Sequence, residues 1–493
     1  MLQLILISLP VALAAFIFES YPRFINREYG VDIWTHLLYL KEFHKQKGIP
    51  KKIENGFLVS GEYDYPPAFI SILSIFPFKL VEKYEFLFSP LFDLFHLVLV
   101  FFLSYFISGS LIVALLAQVI YALTPIIILE NASATPRSLG YTFFTILLVS
   151  FFLYIDSASI IALTLAIISG SLIFLTHRFT AQGFLFFAIA FSIIDRSPVF
   201  LFIFTACFLL ALLFSKGFYL KVLRGHLGNL LFWKKNIDYR FAHQVKGNIS
   251  AKHTKDFVFR IYNQFLKFPP FVLEITNPWT LPVLYIFFFE FPAEQIYQKL
   301  VIWVVISYAL ALVTIWVKRL RFLGEGQRYL ELSAFPASFL ASKFLIEKSG
   351  VESQLWAGLY ILIAIASFFT IIIIQRKAII KEKLRSVTPE MKKMFSYLKS
   401  LEKKPKLLCI PHQITTNVMY HTDCPVFVNA DYTNINKISD VYPYIKIPLK
   451  EIMKKYELDL ILLNEDYAQV SDLKISSHKV IQKIGNFVLL QIV

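Results

Sequence analysis

The feature that most constrains this chain is a succession of apolar runs long enough, or nearly long enough, to cross a bilayer. A crossing helix needs roughly 20 predominantly apolar residues. Such runs lie at 2–18, 88–107, 111–129, 141–155, 159–176, 182–195, 198–215, 278–291, 299–317, 329–346 and 354–375. Backbone amides in lipid find no water, so they must bond within the segment, and helices do this. The expected fold class is therefore an all-α polytopic membrane protein with about eleven transmembrane helices. Only 17% of the residues are charged and 57% are hydrophobic, which excludes an ordinary soluble enzyme for most of the chain. The first run lacks a basic leader and a small-residue cleavage site before Glu19, so it reads as a retained span.

The polar remainder is organised. Two long loops, 19–87 and 216–277, interrupt the apolar series, and the second carries eleven Lys and Arg. Segment 66–82 reads as an interfacial or re-entrant helix. After residue 376 the composition changes. A helix is expected from Pro389 to Lys403 and short strands at 407–410, 426–428 and 458–463. A second helix fits 449–456, and a final hairpin fits the turn Gly485-Asn486. The expected division is a membrane domain over 1–385 and a small soluble α/β domain over 386–493. The net charge of +15 sits in loops, which points to anionic headgroups or a phosphate-bearing ligand. No nucleic-acid module is present in the pattern, so nucleic acid is not an expected partner. Counting eleven spans places 19–87, 130–140, 177–181, 216–277, 318–328 and the C-terminal domain on one face.

Six constellations carry possible chemistry. In Glu28-Tyr29-Gly30-Val31-Asp32-Ile33-Trp34-Thr35-His36, Asp32 and His36 share a helix face, and Asp32 suits a general base or metal ligand. The alternative is that Asp32 only caps a helix. Glu62-Tyr63-Asp64-Tyr65-Pro66-Pro67 adds carboxylates and a rigid turn, or is an ordinary loop. In Asn131-Ala132-Ser133-Ala134-Thr135-Pro136-Arg137-Ser138, Arg137 suits a phosphate fork, or snorkels to the interface. Asn131-Ala132-Ser133 also fits a glycosylation sequon. His177-Arg178 at a span end is costly without an anionic partner, which a ligand would supply. In Gly324-Glu325-Gly326-Gln327-Arg328-Tyr329-Leu330-Glu331, Arg328 and Glu331 fall in a first helical turn and could pair with each other. Cys409, His412, His421 and Cys424 have zinc-like spacing, but two strand ends that carry Cys and His are the preferred reading. Cys207, inside an apolar run, reads as a small buried hydrophobe.

The order of these motifs resembles the GT-C superfamily of membrane glycosyltransferases. The features are an acidic residue in a long first loop, Tyr65-Pro66-Pro67, Thr135-Pro136-Arg137-Ser138, His177-Arg178-Phe179 and Gly324-Glu325…Arg328-Tyr329-Leu330-Glu331. The superfamily includes protein mannosyltransferases and lipid A aminoarabinose transferases. The resemblance implies transfer of a sugar from a polyprenyl-phosphate donor to a glycan, lipid or protein acceptor. It implies Asp32 as base or ligand of Mg2+ or Mn2+. Glu28, His36, Tyr65, Arg137, His177, Arg178, Glu325, Arg328 and Glu331 would contact substrates, with the basic members on the lipid phosphate. One departure is visible: many members carry an Asp-Glu or Glu-x-Asp pair in the first loop, and here Asp32 has Glu28 four residues before it. The resemblance places the active face of this multi-pass cell-membrane protein outside the cytoplasm, whereas the excess of Lys and Arg on that face argues for inside. Two other classes fit parts of the sequence. A flippase of lipid-linked glycans would need internal repeats and mid-span charges. A membrane-anchored assembly protein would not depend on Asp32.

Overall fold

The computed structural model describes residues 2–30, 32–53, 56–59, 62–132, 134–240, 242–248, 260, 267–429 and 438–493. Its first twelve described helices are α1 (Leu2–Ile25), α2 (Asp32–Gln46), α3 (Ala68–Leu73), α4 (Phe78–Tyr84), α5 (Phe88–Ser108) and α6 (Leu111–Ala122), then α7 (Pro125–Asn131), α8 (Arg137–Ser157), α9 (Ile160–Thr176), α10 (Arg178–Ile194), α11 (Val199–Phe214) and α12 (Phe218–Asn236). Later helices are identified below by their ranges.

The chain divides into two compact units. Unit one holds Met1–Ile25, Phe86–Leu220 and Ile261–Lys377; unit two holds Asn26–Glu85, Lys221–Arg260 and Ala378–Val493.

Unit one is helical. Ser110 and Ser159 cap α6 and α9, their hydroxyls accepting from the amides of Val113 and Ala162 at 3.4 Å. Its core is aromatic: Phe151 stacks on Phe200 with centroids 4.1 Å apart, and Phe144 meets Trp303 edge-on at 5.8 Å. Other aromatics face outward, with Phe106, Phe202 and Phe289 each about two-thirds exposed or more (68%, 67% and 74%). Such a surface suits lipid, which is as apolar as the ring.

The apolar runs form helices, but eleven crossings are not confirmed. Among the described residues five helices are long and apolar enough to cross a membrane, and up to eight if each bent pair counts as one span. The run 111–129 breaks by 57° between α6 and α7, and the run around 278–291 breaks by 114° between Pro269–Thr276 and Thr280–Phe289. The reason is length. At 1.5 Å per residue, helices of 14 to 17 residues such as Ala334–Glu347, α9 and α10 reach only about 21 to 26 Å, short of a ~30 Å hydrocarbon layer.

Unit two is built on a six-stranded sheet of order β1-β3-β2-β4-β6-β5. The strands are β1 (Phe57–Val59), β2 (Leu407–Ile410), β3 (Val426–Val428), β4 (Leu460–Asn464), β5 (His478–Ile484) and β6 (Phe487–Ile492). Strands β1, β3, β2 and β4 run parallel, and β6 and β5 close one side as an antiparallel hairpin. The C-terminal strands, hairpin and helices (Pro389–Ser400, Thr415–Thr422, Leu449–Lys455) lie near the places the sequence indicates. The edge strand β1 comes from the first long loop, where no strand was expected. The long loop 216–277 also supplies structure: α12 seats Phe232 in the sheet's core beside Ile452, Ile461 and Leu490.

Candidate functional site

Unit one gathers three of the sequence motifs at one end of its helices. Helix α8 starts at Arg137, directly after Pro136, which cannot extend a helix backwards. Arg137 is 8% exposed; its guanidinium pairs with Glu130 and lies 3.7 Å from Glu331, itself 3% exposed. Glu331 sits on a 3-10 segment, Gly326–Ser333, rather than in the first turn of an α-helix. Arg328, on the same segment, pairs with Glu325 at 2.8 Å.

The His177-Arg178-Phe179 turn joins this group through tight packing. A Cβ on Gly140, one turn into α8, would stand 2.7 Å from Thr180 Oγ1 and 3.0 Å from His177 Cβ, so the glycine lets the two turns touch. His177 is buried and its Nδ1 bonds Thr180 Oγ1 at 2.9 Å. Phe179 packs on Tyr329 with centroids 4.7 Å apart. It also covers Gly324, whose φ of +129° and 2.8 Å clearance from the ring exclude a side chain. Gln182 donates to the Leu323 carbonyl at 2.6 Å and to the Tyr329 hydroxyl at 2.7 Å. Arg178, half-buried, starts α10 at this same turn.

Behind Arg137 runs a buried polar network. Asn131 donates to Glu19 Oε1 at 3.4 Å and accepts from the Tyr141 hydroxyl at 2.6 Å. Tyr121 donates to Asp93 Oδ1 at 2.9 Å, and His96 bonds Tyr121 at 2.8 Å and Thr145 at 3.0 Å. With Tyr121 donating to Asp93, His96 Nδ1 carries the proton and Nε2 accepts from Thr145. The Tyr141 hydroxyl also reaches Asp93 Oδ1 at 3.4 Å, which ties the two halves of the network together. Glu19, Asp93 and Asn131 are fully buried. The buried Asn131 rules against the sequon reading there; Ser133 lies outside the described residues. None of Glu19, Asp93, His96, Tyr121 or Tyr141 was singled out from the sequence. The available signal was Asp93 and His96 inside an apolar run, where ionisable residues are functional candidates.

Unit two holds the first-loop motif. Asp32 opens α2 and is exposed. His36, one turn on, is 8% exposed, with its ring edge-on to Phe69 at 5.1 Å and Tyr65 at 5.9 Å. Burial pushes His36 down to about 4, against the pull of the Asp32 charge, so it is neutral near pH 7. Glu28 accepts from Lys392, and Glu62 pairs with Lys221 at 3.2 Å. Asp64 is buried and Tyr65 half-buried.

No protein-family model matches the sequence, and no curated protein matches it. Solved structures do. ArnT from Cupriavidus metallidurans bound to undecaprenyl phosphate superposes with a TM-score of 0.54 at 11% identity, over 98% of this chain and 97% of that one. The Archaeoglobus fulgidus oligosaccharyltransferase tethered to an acceptor peptide with the NVT sequon gives 0.55 at 12% identity, over 92% of this chain and 68% of that one. This chain shares the fold of these two proteins. The same oligosaccharyltransferase in complex with Zn and sulfate also gives 0.55, at 11% identity, over 92% and 68%.

The divalent ion that the sequence resemblance implies can be tested against the described donor set. Among the described residues no three His, Cys, Asp or Glu groups come together to hold a metal. Asp32 has His36 one turn away, but that ring is turned into aromatic packing. The four residues with zinc-like spacing have other surroundings. Cys409 lies within β2, His421 stacks on Phe395 at 5.0 Å, and the three cysteines are free thiols. These residues do not fit a protein-held metal centre, and no step below passes through one.

Proposed function

We propose that the chain is a glycosyltransferase that moves a sugar from a polyprenyl-phosphate donor to a glycan, lipid or protein acceptor. One observation carries the reading: Arg137 and Arg328 flank the buried carboxylate of Glu331, and the turn that carries His177 and Arg178 packs against the first turn of α8, which Arg137 begins. A planar guanidinium binds phosphate through two parallel hydrogen bonds. In this reading the donor phosphate takes over the Arg137 and Arg328 interactions now shared with Glu130, Glu325 and Glu331, and His177 and Arg178 flank it. The glycosyl bond breaks with its electron pair on the phosphate oxygen, so donors fixed on that phosphate stabilise the departing charge. Phosphate leaves well, and no acid is needed to protonate it.

Asp32 is the base in this reading. It is an exposed carboxylate at the start of α2, free to take the proton of an acceptor hydroxyl as that oxygen attacks the anomeric carbon. A single displacement inverts the anomeric centre. Asp32→Asn should lower sugar transfer on the order of 10³-fold, within the usual range for a lost general base. The variant should elute and melt like the wild type. Full transfer activity in a folded Asp32→Asn protein would remove Asp32 from the role.

We place unit two outside the cytoplasm, as the resemblance implies. Protease added to sealed vesicles with the cytoplasmic face outward should then leave the C-terminal domain intact. Cleavage there from the cytoplasmic side alone would reverse the orientation.

A further inference from the structure

The sheet of unit two has a topological switch point. Sequence order runs β2, β3, β4, but β2 lies between the other two, so the connection leaving β2 toward β3 and the one leaving β4 toward the β5–β6 hairpin diverge at the carboxyl ends of β2 and β4. In open α/β sheets a ligand binds in the crevice formed there. Here that crevice is filled by four residues from the long loop 216–277, about 165 positions away in the sequence.

Gln244 is the centre of the filling, and all four of its polar groups are read. Its backbone N–H donates to the Tyr467 hydroxyl at 2.7 Å, and its carbonyl accepts from the Ile445 amide at 2.7 Å. Its side-chain Oε1 accepts from the amide of His412, just past β2, at 2.7 Å, and Nε2 points to the Cys409 carbonyl on β2 at 3.5 Å. Beside it His243 stacks flat on Tyr467, with centroids 4.0 Å apart and planes 9° apart, and bonds the Tyr467 carbonyl at 2.9 Å. Lys246 closes the far side on Asp472 at 2.9 Å. Gln244 is 3% exposed, and the space left beside it, about 10 Å³, is at the limit for one water.

A crevice that reads a backbone amide, a backbone carbonyl and a carboxamide together has the chemistry of a peptide site. We propose that the switch-point crevice of unit two is a binding site for a tight polypeptide turn presenting a glutamine, and that His243–Lys246, closed as such a turn by paired His243 and Gly247 amide–carbonyl bonds at 2.8 Å, occupies it in cis as a displaceable plug. The proposal concerns binding by unit two and stands independently of the transferase reading.

The test uses the full-length protein in detergent and a fluorescent peptide with the protein's own sequence from Tyr239 to Asn248. Gln244→Ala removes the plug's side chain; Gln244→Glu keeps its shape but sets a carboxylate against the Cys409 carbonyl. Folded protein of either variant should bind the peptide saturably by anisotropy, at least tenfold tighter than wild type does. The same peptide with alanine in place of its glutamine should bind at least tenfold more weakly. No binding to either folded variant would make the segment a fixed tertiary contact and overturn the proposal, and equal binding of the two peptides would overturn glutamine recognition. In wild type, hydrogen exchange of segment 242–248 should quicken when the peptide is added in large excess. An unchanged rate there overturns displacement, whether or not the variants fold.

Discussion

The two units hide polar groups in opposite ways. In unit one the buried groups Glu19, Asp93, His96, Tyr121, Asn131 and Tyr141 bond to one another through side chains, because helix backbones already satisfy their own amides and lipid offers no partner. In unit two the side chain of the buried Gln244 is held by backbone groups at the end of β2, and its own amide by one tyrosine. A helical bundle can hold polar function only as a side-chain network, so every member depends on its neighbours. A sheet offers backbone donors and acceptors at its carboxyl edge whatever the side chains are.

That contrast can be broken first at Arg137. Arg137→Ala leaves Glu331 buried without one of its cations, and removing one member of a buried pair costs about 3 to 5 kcal/mol. The cost should appear as a large fall in the detergent melting temperature together with loss of transfer; Arg137→Lys should recover part of the stability and less of the transfer. A melting temperature equal to wild type would mean the end of α8 does not depend on its network.

Unit two should respond to acid instead. His36, His412 and His421 are each pushed down to about 4 by burial. The unfolded chain takes up these protons first, near pH 6.5, so folding stability falls as pH drops from about 6.5 to about 4 and levels off below. For His36, 8% exposed, the loss approaches about 3 kcal/mol at 1.4 kcal/mol per pH unit. His36→Phe should flatten the pH dependence of denaturant unfolding; an unchanged slope would show that His36 does not carry it. The smallest expected effect is Gly140→Ala, whose added Cβ must push Thr180 or His177 aside. About 1 to 3 kcal/mol is expected from such overpacking. A neutral melt would mean that the contact between α8 and α10 has slack.

Much of the fold was legible because its determinants are local. Apolar length marked the helices, and alternating short apolar runs with a Gly485-Asn486 turn marked β2 to β6. The bends were not legible, because a run's composition does not reveal a 57° break inside it or a 114° one at its start. Strand β1 was hidden for a related reason. Three residues in a charged loop have no signature until the edge of β3 offers them a partner. The motifs around Arg137, His177 and Arg328 were visible as charged residues at the ends of apolar runs, whereas Glu19 and Asp93 passed as ordinary charges within or beside one.

The sequence by itself determined that most of this protein is apolar helix, that an α/β region follows, and which basic residues stand at helix ends. These follow from hydrophobicity, periodicity and turn chemistry, which act over a few residues. Only the tertiary structure decided that Arg137 faces Glu331, that Asn131 reaches Glu19, and that Gln244 fills the crevice beyond β2. Those contacts join positions 112 to 194 residues apart. Such contacts depend on packing between whole elements, and no local pattern encodes them.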